Sequence, residues 1–527
     1  MKSDLKILSS VIEIPDNARI FIYGAGHYAK VLFVLLTKIR RDIKLIGFID
    51  TYKSGKCCGK KIYKYSDFKV DISKNDYDLI IIASIYVEEI VSSLKKEEID
   101  KYVLFKNANP AVYCMLPYSL LNMIKHFLFD CLISIYDFLV KKKKDKIIII
   151  GEFDGKFAGN CKYFYLSLKN KGLENVFWLV EDKGRYTGLK KSGINVLKSF
   201  SFKALFSLLS AEFLVVDNED WIHRYPLINK LKLKKVHLWH GVGFKQLQKM
   251  ALPDYFVNKL LEKEINTYEK RLPVYNMLVT TSEFYADKVF SPIFKNNPPS
   301  ISIDGYPRND IFYQKIEGNN MYTDEKLMKK IISMKKDDHK IVVYTPTFRD
   351  MLLKFQFQDV IDFQELNAFL NRNKILFVIK AHSAPNYNYI FNDPDKYKNI
   401  LIYDNTKDVY PLLKITDLLV TDYSSIYTDF LHTKKPVLFF PYDYKEYIEV
   451  HRDIQFDYNE MTPGPKARND AELKEWIKHF LVDNKDGFEN ERERILNLAF
   501  KYKDGNSSKR ILKSMLSCRK EVLSVEC

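Results

Sequence analysis

Two histidines stand where a parallel α/β sheet would place its chemistry. His240 directly follows an apolar, strand-like segment, KVHLW, and precedes Gly241, Val242 and Gly243. A histidine with an ordinary pKa of about 6.5 accepts a proton near neutral pH, and the glycines expose the backbone of its loop. His382 ends the segment KILFVIKAHS. We interpret His240 as a candidate general base and His382 as a second candidate catalytic residue; the alternative is a hydrogen-bonded structural histidine.

Other polar clusters also follow strand-like segments. Hydroxyl groups, cations and free amides at strand ends suit a diphosphate. Helix capping by serine and surface salt bridges are the alternatives, but the repeated placement at strand ends favours one shared cleft. The candidate donor and phosphate ligands are Arg308, Thr347, Arg349, Asp422, Ser424 and Ser425, and the candidate acceptor or loop-support residues are Gly241 and Lys245.

The first hundred residues contain a separate nucleotide-type pattern. A strand, RIFIYG, leads into Gly24 and Gly26, a helical stretch follows, and a second strand, KLIGFID, ends at Asp50. This order is typical of a Rossmann-type unit, in which glycines let the backbone approach a pyrophosphate. A third strand at 78–84 supports a small parallel sheet. A Rossmann-like domain with another ligand, or with none, remains the alternative.

The elements that must position the later clusters form two further series. Strands are predicted at 146–151, 175–180, 212–218 and 234–241, and again at 339–350, 374–383, 399–404, 417–425 and 435–443. Helix-length stretches separate them, which indicates parallel sheets. Two α/β units of similar size therefore meet near residue 320, where the ligand cleft lies beyond the carboxyl ends of the strands.

The composition limits the class of protein. The 527 residues carry a net charge of +16, and the 46% hydrophobic content excludes a disordered chain. The charge favours an anionic partner: nucleic acid, anionic lipid or a phosphorylated substrate. The seven scattered cysteines predict a reducing compartment, and no cluster has metal-ligand spacing, so no metal is predicted. The amino terminus is a poor signal peptide, which favours the cytoplasm.

A strongly apolar stretch at 115–140 precedes the basic run KKKKDK at 141–146. Lysine, histidine and aspartate interrupt the apolar stretch, so it is too short to span a bilayer. An apolar helix beside a basic cluster fits the interface of an anionic membrane. A buried interdomain helix followed by a solvated charge run is the alternative.

Eight segments, in order, resemble the CDP-glycerol glycerophosphotransferase family of teichoic acid and capsule polymer primases and polymerases. They are GEFDGKFAGNCKYFYLSL (151–168), LWHGVGFKQL (238–247), GYPRND (305–310), YTPTFRD (344–350), KAHS (380–383), VTDYSSIYTDF (420–430), FPYDYKEY (440–447) and FDYNEMTPGP (456–465). The resemblance covers about residues 115–515. Residues 18–105 resemble the nucleotide-sugar-binding domain of bacterial sugar acyltransferases, without the acyltransferase domain that normally follows.

The resemblance implies transfer of a polyol phosphate, chiefly glycerol phosphate, from a CDP-activated donor to a hydroxyl of a lipid-linked or saccharide acceptor, with release of CMP and no required cofactor. His240 would be the base, and Asp422 would order the phosphate loop. The family differs at Gly243, Phe244, Phe348, Lys380 and Ser383, which bears on donor identity. A nucleotide-sugar glycosyltransferase and a nucleic-acid-binding protein remain the rivals, although the dispersed basic residues favour no nucleic acid.

The expected fold is α/β, with a glycosyltransferase-B-like pair of Rossmann-type domains preceded by a smaller Rossmann-like domain. We expect the Rossmann-like domain at 1–108, a membrane-associating helix and basic linker at 109–145, an acceptor-side domain at 146–320 and a CDP-donor domain at 321–527. The protein is expected to be peripheral on the cytoplasmic face of the cell membrane. The sequence leaves the oligomeric state open.

Overall fold

The computed structural model contains three sheets, each surrounded by helices. It describes residues 6–8, 11–71, 77–84, 87–105, 139–219, 221–222, 225, 228–244, 273–295, 298–347, 360–380, 396–447 and 454–517, and the statements below concern these residues. No helix within them is long and apolar enough to cross a membrane.

The first sheet is built from the amino-terminal hundred residues and has the strand order β1-β7-β6-β2-β3-β5-β4. Every pairing is parallel except the hairpin β4–β5. Its central strands are apolar and buried on both faces, as expected for a parallel sheet covered by helices. The elements are β1 (Ile7–Leu8), β2 (Arg19–Tyr23), α1 (His27–Ile39), β3 (Lys44–Asp50), β4 (Gly55–Cys57), β5 (Lys60–Lys64), α2 (Tyr65–Asp71), β6 (Leu79–Ile82), α3 (Val87–Lys96) and β7 (Tyr102–Phe105).

The second sheet is wholly parallel, with the order β10-β9-β8-β11-β12-β13-β14. The run IIII in β8 is buried throughout and lies at the centre. The elements are β8 (Ile147–Ile150), α4 (Glu152–Gly155), α5 (Gly159–Asn170), β9 (Val176–Val180), α6 (Lys183–Lys191), β10 (Val196–Lys198), α7 (Phe202–Ser210), β11 (Phe213–Val216), β12 (Lys234–His237), β13 (Met277–Thr280), α8 (Glu283–Tyr285), a π-helical turn (Ala286–Phe290), α9 (Ser291–Ile293) and β14 (Ser300–Ile303).

The third sheet is also parallel, with the order β17-β16-β15-β18-β19. Its elements are α10 (Glu325–Lys336), β15 (Lys340–Thr345), α11 (Phe363–Arg372), β16 (Ile375–Ile379), β17 (Ile400–Ile402), α12 (Tyr410–Ile415), β18 (Leu418–Thr421), α13 (Ile426–Phe430), β19 (Val437–Phe439), α14 (Tyr444–Glu446), α15 (Tyr458–Met461), α16 (Asp470–Leu481), α17 (Glu489–Ala499) and α18 (Ser507–Ser517). The predicted α/β fold with paired parallel sheets is confirmed.

Hydrogen bonds and an ion pair at the base of the two larger units join them. The final helix, α18, returns to the second unit, where the Asp310 carboxylate accepts hydrogen bonds from the backbone amides of Ser507 and Ser508 at 2.9 and 3.0 Å. The Lys162 ammonium of α5 lies 2.6 Å from the Asp408 carboxylate, and both side chains are fully buried. Lys162 also donates to two backbone carbonyls of the connecting segment, at Asn319 and Met321. A buried polar joint therefore holds the two units at residues 319–321.

Candidate active site

His240 is an exposed residue just beyond the carboxyl end of β12, between buried neighbours. Its Nδ1 is 3.2 Å from the backbone carbonyl oxygen of Asp217, and its ring stacks on Trp239 with centroids 5.1 Å apart. A carbonyl only accepts hydrogen bonds, so Nδ1 carries the proton and the lone pair of the neutral ring is on Nε2. The two contacts fix the tautomer and the plane of a ring that can accept a proton at Nε2.

His237, only three residues earlier, is a structural histidine. It is fully buried, and its Nδ1 accepts a hydrogen bond of 2.8 Å from the Trp239 amide. Burial, followed by the proximity of His240, moves the pKa of His237 well below its ordinary value, so the ring stays neutral. The segment KVHLWH therefore contains one buried and one exposed histidine, and the exposed one is the predicted base.

The glycines after His240 allow the loop to approach the third unit. Gly241 has φ of +142°, and a Cβ there would lie 2.9 Å from Ser425 Oγ and 3.1 Å from an Arg308 Nη atom. The Thr428 hydroxyl donates to the Val242 carbonyl oxygen at 3.2 Å. A side chain at position 241 would be strained and crowded. The loop that follows His240 and the turn that contains Ser424 and Ser425, which we call the serine turn, therefore lie side by side, one from each unit.

Arg308 connects the His240 loop to the helix α13. Its guanidinium donates to the backbone carbonyl of His240 at 2.8 Å and to the Asp429 carboxylate at 2.6 Å. The Tyr410 hydroxyl donates to the same carboxylate oxygen at 2.7 Å. Burial lowers the pKa of Arg308, but Asp429 together with Tyr410, Tyr306 and Glu152 more than offsets this, so the pKa is raised. Arg308 is a buried cation that holds the His240 loop against α13.

The serine turn follows β18 and is organised by Asp422. The buried Asp422 carboxylate accepts hydrogen bonds from the backbone amides of Thr347, at 2.8 Å, and Tyr423. Ser424 Oγ accepts a long bond of 3.4 Å from the Ile426 amide, whereas Ser425, at the N-cap of α13, makes no side-chain capping bond. Asp422 thus ties the end of β15 to the serine turn, and the Ser425 hydroxyl lies toward Gly241.

A pair of lysines, Lys380 and Lys156, lies near the same strand ends. Lys380, directly after β16, donates to the Asn405 carbonyl at 3.0 Å, and Lys156, directly after α4, reaches the same oxygen at 3.4 Å. Burial, with a further contribution from Lys156, lowers the pKa of Lys380 to about 8. Gly155, directly before Lys156, has φ of +74° and turns the chain at the end of α4. Two ammonium groups around one carbonyl suit an anionic ligand.

Beneath His240 lies the buried carboxyl group of Asp217. Its Oδ2 accepts from the Cys161 amide at 3.1 Å, and burial, followed by repulsion from Glu152, moves the pKa of Asp217 well above its ordinary value. This raised pKa favours the neutral form of the carboxyl group. Within the described part of the chain, no group of three or more His, Cys, Asp or Glu side chains could hold a metal ion.

The structure thus brings together His240, Gly241, Arg308, Thr347, Asp422, Ser424 and Ser425. The predicted residues Lys245, Arg349 and His382 lie outside the described residues.

The amino-terminal pattern forms a turn that its own side chains close. Gly24, with φ of +115°, packs so tightly that a Cβ would lie 2.6 Å from the Ala83 carbonyl oxygen. Asp50 accepts hydrogen bonds from the backbone amides of Ala25, Tyr52 and Lys53 at 2.9, 3.0 and 2.9 Å. Gly26, before α1, has open space beside it. Asp50 therefore stabilises the turn in this structure.

Comparison with known proteins identifies the family of the carboxyl-terminal three quarters. The profile of the CDP-Glycerol:Poly(glycerophosphate) glycerophosphotransferase family matches residues 133–517. The chain belongs to this family. It is accordingly an enzyme of the CDP-glycerol glycerophosphotransferase type, as the sequence motifs predicted. A second profile, C2185-like, N-terminal, matches residues 16–105.

Curated relatives agree with this assignment. The chain is 26% identical over 391 residues to a teichoic acid poly(glycerol phosphate) polymerase of Bacillus spizizenii, covering 71% of this chain and 93% of that protein. It is 26% identical over 405 residues to a teichoic acid glycerol-phosphate transferase of Staphylococcus aureus, covering 75% and 99%. A ribitol-phosphate polymerase of the same species, TarL, is 24% identical over 486 residues, covering 89% and 77%.

Among solved structures, the Wall Teichoic Acid Polymerase TagF superimposes with a TM-score of 0.58 at 21% identity, covering 76% of this chain and 97% of that one. This likeness concerns the fold. It extends over a length comparable to that of the second and third units described above.

Proposed function

We propose that this enzyme transfers glycerol phosphate from CDP-glycerol to a terminal hydroxyl of a lipid-linked or saccharide acceptor and releases CMP. The observation that carries the proposal is the convergence of an oriented, exposed histidine with a serine turn and two half-buried lysines that share one backbone carbonyl. Membership of the glycerophosphotransferase family supports the donor.

In the proposed reaction, His240 Nε2 accepts the proton of the acceptor hydroxyl as its oxygen attacks the β-phosphorus of CDP-glycerol. A new P–O bond forms, the bond from that phosphorus to the bridging oxygen breaks, and CMP leaves with that oxygen. The product is a phosphodiester. Phosphoryl transfer relies mainly on positioning and charge neutralisation, and we assign these tasks to groups around the cleft.

We assign the diphosphate to Ser424, Ser425, Lys380 and Lys156, with Arg349 and His382 as further ligands. Ser425 Oγ lies beside the Gly241 backbone, so a phosphate on this turn would be next to the His240 loop. We assign Arg308 a different role from the one its motif suggested, because its two terminal nitrogens bond Asp429 and the His240 carbonyl. We therefore propose that Arg308 positions the His240 loop.

The division of labour between the units follows from these positions. We propose that residues 146–320, which supply His240 and Arg308, form the acceptor side, and that residues 321–527, which supply the serine turn and Lys380, form the donor side. The unit at 1–108 would be a separate domain, and residues 109–145 would associate with the membrane. The enzyme would act as a peripheral protein on the cytoplasmic face of an anionic membrane, where a lipid-linked acceptor is available.

The test is incubation of the purified full chain with CDP-glycerol or CDP-ribitol and a short glycerol phosphate acceptor, followed by assays for CMP and for the new linkage. We expect CMP release with CDP-glycerol and a product cleaved as a phosphodiester. Release with CDP-ribitol alone would reassign the donor. A glycosidic product from a nucleotide-sugar would overturn the proposed chemistry.

A further inference from the structure

An apolar surface is concentrated on one short stretch of the second unit. Four of the ten exposed large hydrophobic side chains among the described residues lie within residues 200–206. Phe202 is 83% exposed, Phe200 80% and Phe206 61%. We call Phe200, Phe202, Leu205 and Phe206 the aromatic face. Isolated exposed hydrophobic residues need no explanation, but a contiguous group indicates an interaction site.

Hydrogen bonds hold the turn before α7 so that Phe200 is exposed. Ser199 anchors the turn before α7 through bonds from its amide and hydroxyl to the Val180 carbonyl, and Ser201 caps α7 by accepting from the Ala204 amide at 3.2 Å. Between them, Phe200 has φ of +61°, a conformation that is strained for an aromatic residue. The turn therefore holds Phe200 outward at a conformational cost, instead of burying it.

The helix divides its residues by face. Ala204, Leu208 and Leu209 are buried against the sheet, whereas Phe202 and Phe206, four residues apart, lie on the outer side. The outer side is an apolar surface with no part in the core.

The charge around the aromatic face is positive. Lys198 and Lys203 are the only charged residues between 196 and 210, and both are exposed. The basic run meets the far end of the helix, where Lys142 donates to the Leu209 carbonyl at 2.9 Å and the Lys143 amide donates to Ser210. Lys141 and Lys144 remain exposed there. The nearby acid Glu212 accepts from the Asp145 amide.

These observations favour one kind of partner. The exposed parts of these four side chains amount to roughly 500 Å², because a large aromatic side chain offers about 150 to 250 Å². This is below the ~800 Å² per partner of a stable protein interface. Phenylalanines flanked by lysines instead suit the headgroup region of an anionic bilayer, where a few apolar side chains suffice for reversible binding.

The location relative to the active site is also suitable. Phe200 follows the carboxyl end of β10, and His240 follows that of β12, so both lie at the same edge of a parallel sheet. Four strand spacings separate β10 from β12, a distance of about 19 Å. A bilayer on the aromatic face would leave the cleft within reach of a lipid-anchored polymer end.

We propose that the aromatic face, together with Lys198, Lys203 and the basic run, docks the enzyme on an anionic lipid bilayer. The inference rests on the proposed use of a lipid-linked acceptor and assigns the membrane contact to described residues of the second unit.

The first experiment measures sedimentation of the full chain with vesicles of equimolar phosphatidylglycerol and phosphatidylcholine. Phe202→Gln with Phe206→Gln should reduce vesicle binding by about tenfold or more. The matched control is Ile332→Gln with Val482→Gln, which replaces two exposed apolar residues of the third unit and should leave binding unchanged. The parent should bind less to pure phosphatidylcholine vesicles. Replacement of Lys141–Lys144 by Gln should weaken binding to the anionic vesicles.

The second experiment separates docking from folding. Phe200→Gly suits the positive φ, so it should maintain or raise the melting temperature while weakening vesicle binding. If Phe200→Gly lowered the melting temperature and left vesicle binding unchanged, Phe200 would belong to the core and the proposal would be overturned.

Transfer to a short soluble acceptor distinguishes this proposal from the proposed function. The aromatic-face variants should retain that activity and lose activity on lipid-linked acceptor. If the parent transfers nothing, the proposed function fails, while the vesicle result still decides the docking surface. Vesicle binding equal to the parent overturns the docking proposal. The docking proposal also fails if the aromatic-face variants differ from the parent in molecular mass in solution, because a second copy of the chain would then cover the face in the parent.

Discussion

Two glycine turns at strand ends look alike in the sequence and differ in the structure. The turn after β2 is closed, because Asp50 accepts from the Ala25 amide and Gly24 packs on Ala83. The loop after β12 is open to a cleft, because His240 is exposed and Gly241 faces Ser425 from another unit. A glycine at a strand end therefore indicates a close backbone approach, and the neighbouring group decides whether that approach serves packing or chemistry.

The largest difference between the two turns should appear when His240 is replaced. His240→Ala removes the proposed base but leaves the fold intact, because the side chain is exposed. We expect a loss of about 10²- to 10⁴-fold in transfer rate at saturating CDP-glycerol, with an unchanged melting temperature. Near-normal turnover would remove His240 from the mechanism and erase the distinction between the turns.

Replacement of the buried pair beneath the open loop tests how the loop is held. Asp429→Asn should lower kcat by about 10²-fold through displacement of the His240 loop, and the loss of one ion-pair partner should cost about 3 to 5 kcal/mol of folding stability. Arg308→Lys should behave similarly, because a single ammonium cannot bond both Asp429 and the His240 carbonyl. If Arg308→Lys raised only the KM for donor while Asp429→Asn had no effect, Arg308 would be a direct diphosphate ligand.

The serine turn opposite the open loop should affect donor binding. Ser424→Ala with Ser425→Ala removes two proposed diphosphate contacts, each expected to contribute about 1.5 to 3 kcal/mol. Calorimetry with CDP-glycerol should show weaker binding, and Arg349→Ala should act in the same direction. Affinity for the acceptor should change less. Unchanged donor affinity would restrict these serines to the local structure of the turn.

The pH dependence of donor binding tests Lys380. Burial and Lys156 lower the pKa of Lys380 to about 8, so the side chain is charged at pH 7 and largely neutral at pH 9. A cationic diphosphate ligand should therefore lose affinity as the pH rises, by about tenfold at most between these values. Lys380→Arg keeps its charge and should flatten the profile. A slope that persists in Lys380→Arg would assign the titration to another group.

The smallest effect on transfer is expected from the closed turn. Asp50→Ala leaves the amides of Ala25, Tyr52 and Lys53 without this acceptor, so the first unit should lose about 1 to 3 kcal/mol of stability. The transfer rate per folded molecule should not change. A proportionate loss of transfer would mean that the first unit contributes to the same reaction.

The strands of the two larger units were largely predictable because their apolar runs are continuous. The predicted segment 146–151, for example, contains β8, and 417–425 contains β18. The short edge strand β10 and the mixed-polarity strand β14, SISI, were missed because neither has such a run. β13, MLVT, is more apolar than β12, KKVH, and the interpretation passed over it.

The residue types of the site could be predicted, but their partners could not. Gly-x-Gly after a histidine indicates an open loop, yet only the fold shows that Ser425 from a distant segment lies against it. Arg308 illustrates the limit, because it was predicted as a phosphate ligand and its partner Asp429 is 121 residues away in the sequence. Lys156 is recognised only through its shared contact with Lys380 at Asn405.

The buried joint between the two larger units has a consequence for domain exchange. Lys162 belongs to one unit and Asp408 to the other, and neither charge has water to replace a lost partner. A chimera that takes its donor unit from a ribitol-specific relative must therefore retain an acid at position 408, or change Lys162 together with it. A graft of the strand-end loops alone leaves this joint intact, so it offers the simpler route to a new donor specificity.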